Sequence, residues 1–141
     1  MKTDNDYFVE KLQNELSDGN LLETAYKAQL LSAKVGFDFN SIEEAYQKCK
    51  EEFKEIDEAF KYRDKDKEHF IEEIGDGFFA LINLARFAGI SPTQLLYNTT
   101  KKYLKRVEYI ENKLKQNGLN WQDSNIKELD KLWDEAKEKG L

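Results

Sequence analysis

The run Phe78-Phe79-Ala80-Leu81-Ile82-Asn83-Leu84-Ala85-Arg86-Phe87-Ala88 constrains the fold more than any other part of the sequence. Wound into a helix it is apolar on nearly every side, and such a helix has to be covered all round. A small bundle supplies too few neighbours for that, so the run predicts an all-α helical bundle with an oligomeric core. The punctuation around it is also helical. Gly89 stops the run, and Ser91-Pro92-Thr93-Gln94 restarts the chain with an N-cap, a proline at the first helical position and a glutamine at the third.

The same signals divide the rest of the chain. Asp4 to Leu16 is predicted as a short helix ended by Ser17-Asp18-Gly19, and Leu21 to Lys34 as a second, stopped by Gly36 and the loop through Asn40. Ser41 with Glu44 three residues later opens a third helix. Its predicted buried stripe is Ile42, Ala45, Tyr46, Cys49, Phe53, Ile56 and Phe60. A charged turn, Arg63 to Lys67, precedes the fourth helix, Glu68 to Ala88. A fifth runs to Gln116 and stops at Asn117-Gly118, and a sixth spans Asn125 to Lys139. Residues 1–20 read as an N-terminal extension, helical in part, and residues 21–141 as one domain.

Composition excludes several functions. Cys49 is the only cysteine, which rules out an intramolecular disulfide and a cysteine zinc site. His69 is the only histidine, so the two Glu-x-x-His pairs of a diiron bundle are missing. A net charge of −6 argues against coating a nucleic acid polymer. With no bilayer-length apolar run and no signal-peptide core, the expectation is a soluble, cytoplasmic protein away from membranes. The charge is unevenly placed. Lys50 to Asp76 carries 11 acidic against 6 basic residues, and Asn98 to Gln116 carries 6 basic against 2 acidic.

Within the acidic segment, Glu52 and Glu55 stand three apart on the third helix, and Glu73 and Asp76 three apart on the fourth. Each pair shares a helix face. A short turn between the helices lets the two pairs face one another, while Glu51 and Glu58 point outward. Four carboxylates brought together repel unless a cation neutralises them, and hard oxygen ligands select Mg²⁺, Mn²⁺ or Ca²⁺. The competing interpretation is that these acids simply decorate a solvated surface, since Glu-x-x-Glu is common on helices. In the basic segment Lys102, Lys105 and Arg106 are candidate phosphate contacts, or ordinary solvated helix residues.

Read together, Glu51-Glu52-Phe53-Lys54-Glu55 and Glu73-Ile74-Gly75-Asp76 resemble the EExxE…ExxD signature of the MazG nucleotide pyrophosphohydrolases. Val35-Gly36-Phe37-Asp38-Phe39 is similar to the VGFDW loop of that family's C-terminal domain, and Gly75 to Arg86 is similar to its GDLLFALVNLAR helix. The resemblance covers Leu21 to Lys139 and makes residues 21–141 a MazG-like domain. It implies hydrolysis of a nucleoside triphosphate to monophosphate and pyrophosphate, and the all-round apolar helix adds the expectation of a homodimer or homotetramer. It also implies Glu52, Glu55, Glu73 and Asp76 as ligands of Mg²⁺ (Mn²⁺ as the substitute), with Glu52 orienting or deprotonating the water. Phe39, in place of the family's Trp, and Asn83, two turns beyond Asp76, are candidate substrate contacts. The chain departs from the family at Leu30-Leu31, where a Lys-Arg pair is usual, and at Thr100, where an asparagine is usual. These departures bear on nucleotide selectivity. The alternative function is a non-catalytic metal- or nucleotide-binding protein of the same fold.

Overall fold

The computed structural model describes residues 7–141, apart from the side chains of residues 17 and 18. All regular structure among the described residues is helical: α1 (Val9–Asp18), α2 (Leu21–Lys34), α3 (Ile42–Lys61), α4 (Lys67–Phe87), α5 (Pro92–Gln116), a 3-10 turn (Trp121–Asp123) and α6 (Ile126–Glu138). None of these helices is long and apolar enough to cross a membrane. The expected start of the first helix at Asp4 lies outside the described residues. The other boundaries fall within a residue or two of the caps seen in the sequence, and the 3-10 turn is an addition. The chain forms two compact units, Met1–Leu95 and Leu96–Leu141.

In the first unit, local chemistry sets each helix end. Gly36 and Gly89 take positive φ values of 89° and 83°. There the next amide turns back onto the helix, Phe37 N donating to Ser32 O and Ile90 N to Ala85 O. Only glycine adopts that conformation without strain. At the start of α3, Ser41 Oγ accepts from Glu44 N at 3.3 Å. The Glu44 carboxylate reaches one residue further back than a simple capping box and takes the Asn40 amide at 2.8 Å. Asp66 caps α4 by accepting from His69 N.

Helices α3 and α4 pack side by side as an antiparallel hairpin, closed near the turn by an edge-on contact of Phe60 with Phe70 at 5.8 Å. Here the structure corrects the predicted stripe on α3. The buried residues are Ala45, Cys49, Glu52 and Ala59, while Tyr46, Phe53 and Phe60 are each half exposed or more. The facing residues of α4 are also small, Gly77 and Ala80. A Cβ placed on Gly77 would lie 2.8 Å from Ile56 Cδ1. Small side chains let two helices approach closely, and that excludes bulky rings from the seam. The aromatic residues are left at its margins. Cys49 is buried as expected, and burial pushes its thiol up from the usual range.

The second unit is built on the later part of α5 and α6. Ile110, Leu114 and Ala136 are its buried apolar residues. Tyr103 and Trp133 pack with ring centroids 5.6 Å apart. Tyr109 OH donates to Glu135 at 3.2 Å, and Trp121 Nε1 donates to Glu111 at 3.2 Å. Asn125 and Glu128 cap α6 reciprocally. Both tryptophans are therefore packing residues with a satisfied or stacked edge.

Candidate metal centre and the adjoining pocket

Along the hairpin seam Glu52 is buried, Glu73 is partly buried and Asp76 is exposed at the edge. Glu52 belongs to the buried heptad-spaced row of α3, and Glu73 stands beside the small residues of α4 with its side chain 13% exposed. One carboxylate oxygen from each of Glu52, Glu73 and Asp76 lies within 4.8 Å of the other two. Glu55 does not join this group and is exposed. Its direction differs from that of Glu52 by about 60° around α3, at about 100° per residue, which carries it off the seam.

The donor set suits a hard divalent cation. Octahedral oxygens at about 2.1 Å from Mg²⁺ stand about 3 Å apart when adjacent and about 4 Å when opposite, so small side-chain adjustments bring the three into range. Two cationic or potentially cationic groups border the acids. Lys48 Nζ sits 2.9 Å from Glu52 and 3.7 Å from Glu51. Its hydrogen bond to Glu52 holds the ammonium above the usual lysine range. His69 Nδ1 is 3.7 Å from Glu73. Sequence reading passed over Lys48, although its place four residues before Glu52 is the spacing that pairs charges on a helix.

Further along α4, the loop and the apolar helix that stood out in the sequence prove to be tied together. Arg86 forks onto Asp38, with Nη1 to Oδ2 at 3.1 Å and a second bond from Nη2 to Oδ1, and its Nε donates to Asn83 Oδ1 at 2.9 Å. Phe39 stacks at a tilt on Phe87, centroids 6.4 Å apart. Behind this clamp a pocket of about 310 Å³ opens within the first unit, lined in part by Phe37, Phe39, Phe79, Asn83 and Gln29. Both substrate candidates named on this side of the chain, Phe39 and Asn83, line it. Gln29 was missed. Its signal was a lone polar residue on the apolar stripe Leu22, Ala25, Tyr26 and Ala33 of α2.

The clamp makes a pH-dependent contribution to stability. The hydrogen bond from Arg86 holds the Asp38 carboxyl below its ordinary value of 3.8. A depressed carboxyl stabilises the fold above that ordinary value and loses the contribution as pH falls through the lowered one. The Arg86 side chain is 10% exposed and that of Asp38 24%, but Asp38 stands in an exposed loop where solvent screens the pair. Asp38→Asn is therefore expected to cost about 1 kcal/mol at pH 7. Urea midpoints should show the gap between parent and variant narrowing as pH drops below 3.8; a constant gap would mean that charge has no part in it.

The remaining candidates lie on α5 in the second unit. Lys102 and Lys105 are exposed. Arg106 donates from Nε to Leu141 O at 2.9 Å, and its guanidinium lies over Trp133 at 5.1 Å.

No protein-family model matches the chain. Over 116 residues, 82% of its length, it is 35% identical to the nucleoside triphosphate pyrophosphohydrolase/pyrophosphatase MazG of Thermotoga maritima. The chain is a MazG homologue. It is 28% identical over 116 residues to the nucleoside triphosphate pyrophosphohydrolase of Escherichia coli K12. A shorter stretch, 47% of the chain, is 46% identical to the uncharacterized protein YabN of Bacillus subtilis, 14% of which it covers. The chain spans less than half of the MazG relatives, 44% of each.

Proposed function

We propose that this MazG homologue hydrolyses a nucleoside triphosphate to the monophosphate and pyrophosphate, water attacking the α-phosphorus. The observation that carries this is the convergence of Glu52, Glu73 and Asp76 from two helices at one edge of the seam. These three carboxylates would hold Mg²⁺, or Mn²⁺ in its place, with Glu55 turning inward as a fourth ligand when the site is loaded. The ion would neutralise the triphosphate oxygens and make a bound water a better nucleophile. Glu52, the most enclosed of the acids, would orient that water or take its proton. Lys48 would release Glu52 and turn to phosphate as the anionic substrate arrives. Lys102, Lys105 and Arg106 would bind phosphate, and Phe39 and Asn83 would contact the nucleoside. By the helical rise, Asn83 lies about 10 Å along α4 from Asp76, a span suited to a triphosphate and its sugar.

A panel of nucleoside triphosphates with Mg²⁺ tests this reaction. Pyrophosphate rather than orthophosphate should appear, and ¹⁸O from labelled water should enter the monophosphate. Label in the pyrophosphate overturns attack at the α-phosphorus. An inactive panel that still binds nucleotide favours a binding protein of the same fold.

The assembly we propose is a homodimer or homotetramer built on the hairpin margins. Phe53 is 55% exposed and Phe78 48%, with Ile71, Ile74 and Leu81 beside them in the same condition. Full burial of one such side chain contributes about 1.5–3 kcal/mol, so covering the set favours association strongly. Sedimentation at micromolar concentration should give a dimer or larger species, and a well-folded monomer would rule the assembly out.

A further inference from the structure

The pocket beside the Asp38–Arg86 clamp contains a polar group that the protein does not satisfy. Gln29 is 6% exposed and its Nε2 donates to the Phe79 carbonyl at 3.0 Å. Its Oε1 is buried and has no hydrogen-bond partner among the described residues. A buried, unpaired acceptor is costly and calls for a donor. The amide cannot turn over to change its character, because that would set its oxygen against the Phe79 oxygen. Gln29 is thus a fixed acceptor.

Asn83 is fixed in the complementary sense. Its Oδ1 is taken by Arg86 Nε, and its Nδ2 has no partner among the described residues. Gln29, a fixed acceptor, and Asn83, with a donor to spare, both line the pocket together with Phe37, Phe39 and Phe79. Aromatic walls with a few oriented polar groups suit a planar heterocycle, because every base has a π face. Phe37, 80% exposed, forms the outer wall.

We infer that this pocket reads the nucleobase and selects bases carrying an exocyclic amine at the edge remote from the sugar, as cytosine and adenine do. The inference rests on the triphosphate reaction proposed above. With the phosphates held toward Asp76, the base enters the pocket with its far edge leading. In cytosine and adenine that edge presents an amine donor beside a ring-nitrogen acceptor, matching Gln29 Oε1 and Asn83 Nδ2. In uracil and hypoxanthine a carbonyl replaces the amine and would set oxygen against Gln29 Oε1. The preference comes from this repulsion and from the acceptor left unpaired.

Two pairs of substrates isolate the amine: dCTP with dUTP, and dATP with dITP. In whichever pair is turned over faster, kcat/KM for the amino member should exceed that for the keto member on the order of tenfold or more. Gln29→Met, similar in volume and without the amide, should bring that ratio to within about threefold of one. A parent ratio near one, or in favour of the keto member, overturns the inference without any variant. An undiminished ratio in a folded Gln29→Met protein also overturns it. Calorimetric binding of the non-hydrolysable α,β-imido analogues of the same nucleotides separates the two proposals. Amine-selective binding without turnover would sink the reaction and keep the pocket assignment, and turnover without amine preference would do the opposite. Absence of both binding and turnover would remove both.

Discussion

Asp76→Asn is expected to lower turnover at least about a hundredfold and to remove most of the thermal stabilisation that Mg²⁺ confers. The metal-free variant should nevertheless be as stable as the parent or more so. Glu52, Glu73 and Asp76 hold three carboxylate oxygens within 4.8 Å of one another, with Lys48 and His69 bordering only Glu52 and Glu73. Removing one charge from such a group relieves repulsion in the absence of a cation, the trade-off found where function maintains a strained site. Glu58→Gln is the matched control, because Glu58 is 67% exposed and, among the described residues, pairs with Lys61 alone. Thermal melts with and without saturating Mg²⁺, read beside turnover, decide the matter. If Asp76→Asn destabilises the metal-free protein by more than about 2 kcal/mol, Asp76 is a structural acceptor instead.

Gly77→Leu should both destabilise the hairpin and weaken its response to metal. The close approach at Gly77 leaves a Cβ 2.8 Å from Ile56 Cδ1, the movable end of a side chain. For Gly77→Ala two effects nearly cancel. Alanine gains about 1 kcal/mol of helix propensity over glycine, and Ile56 gives up a comparable amount in moving. Leucine adds three further carbons with no room for them, and overpacking of that kind costs about 1–3 kcal/mol. Because Gly77 follows Asp76 directly, forcing the helices apart also separates Glu52 from Glu73 and Asp76. Urea unfolding should rank parent and Gly77→Ala together and Gly77→Leu below them, with a reduced Mg²⁺ shift in Gly77→Leu alone. An unchanged Mg²⁺ shift in Gly77→Leu would disconnect the seam from the site.

Much of this was legible in the sequence because it depends on short spacings. The cap Ser41 and the glycines Gly36 and Gly89 act within one helical turn, so those helix boundaries could be read to within a residue or two. The i, i+3 acid pairs and the run from Phe78 to Ala88 are local as well. So were the motifs that pointed to the MazG homologues. Which residues face which partner is a different kind of information. The predicted stripe of Ile42, Ala45, Tyr46, Cys49, Phe53, Ile56 and Phe60 has sound helical periodicity and includes the buried Ala45 and Cys49, yet its aromatic members are exposed and the packed row is completed by Glu52 and Ala59. Periodicity ranks faces by hydrophobicity, whereas a close helix pair selects the face with the smallest side chains. The same choice turned Glu52 into the seam and left Glu55 exposed, a distinction that two glutamates one turn apart do not reveal.

Sequence alone determined that the chain is helical, where its helices begin and end, and which acids stand in pairs. Tertiary structure decided which three of the four acids meet, that Asp38 and Arg86 bind each other across 48 residues, and that Gln29 is a fixed acceptor in a pocket wall. Each of these results depends on how side chains from remote parts of the chain interlock, and no local pattern in the sequence encodes that.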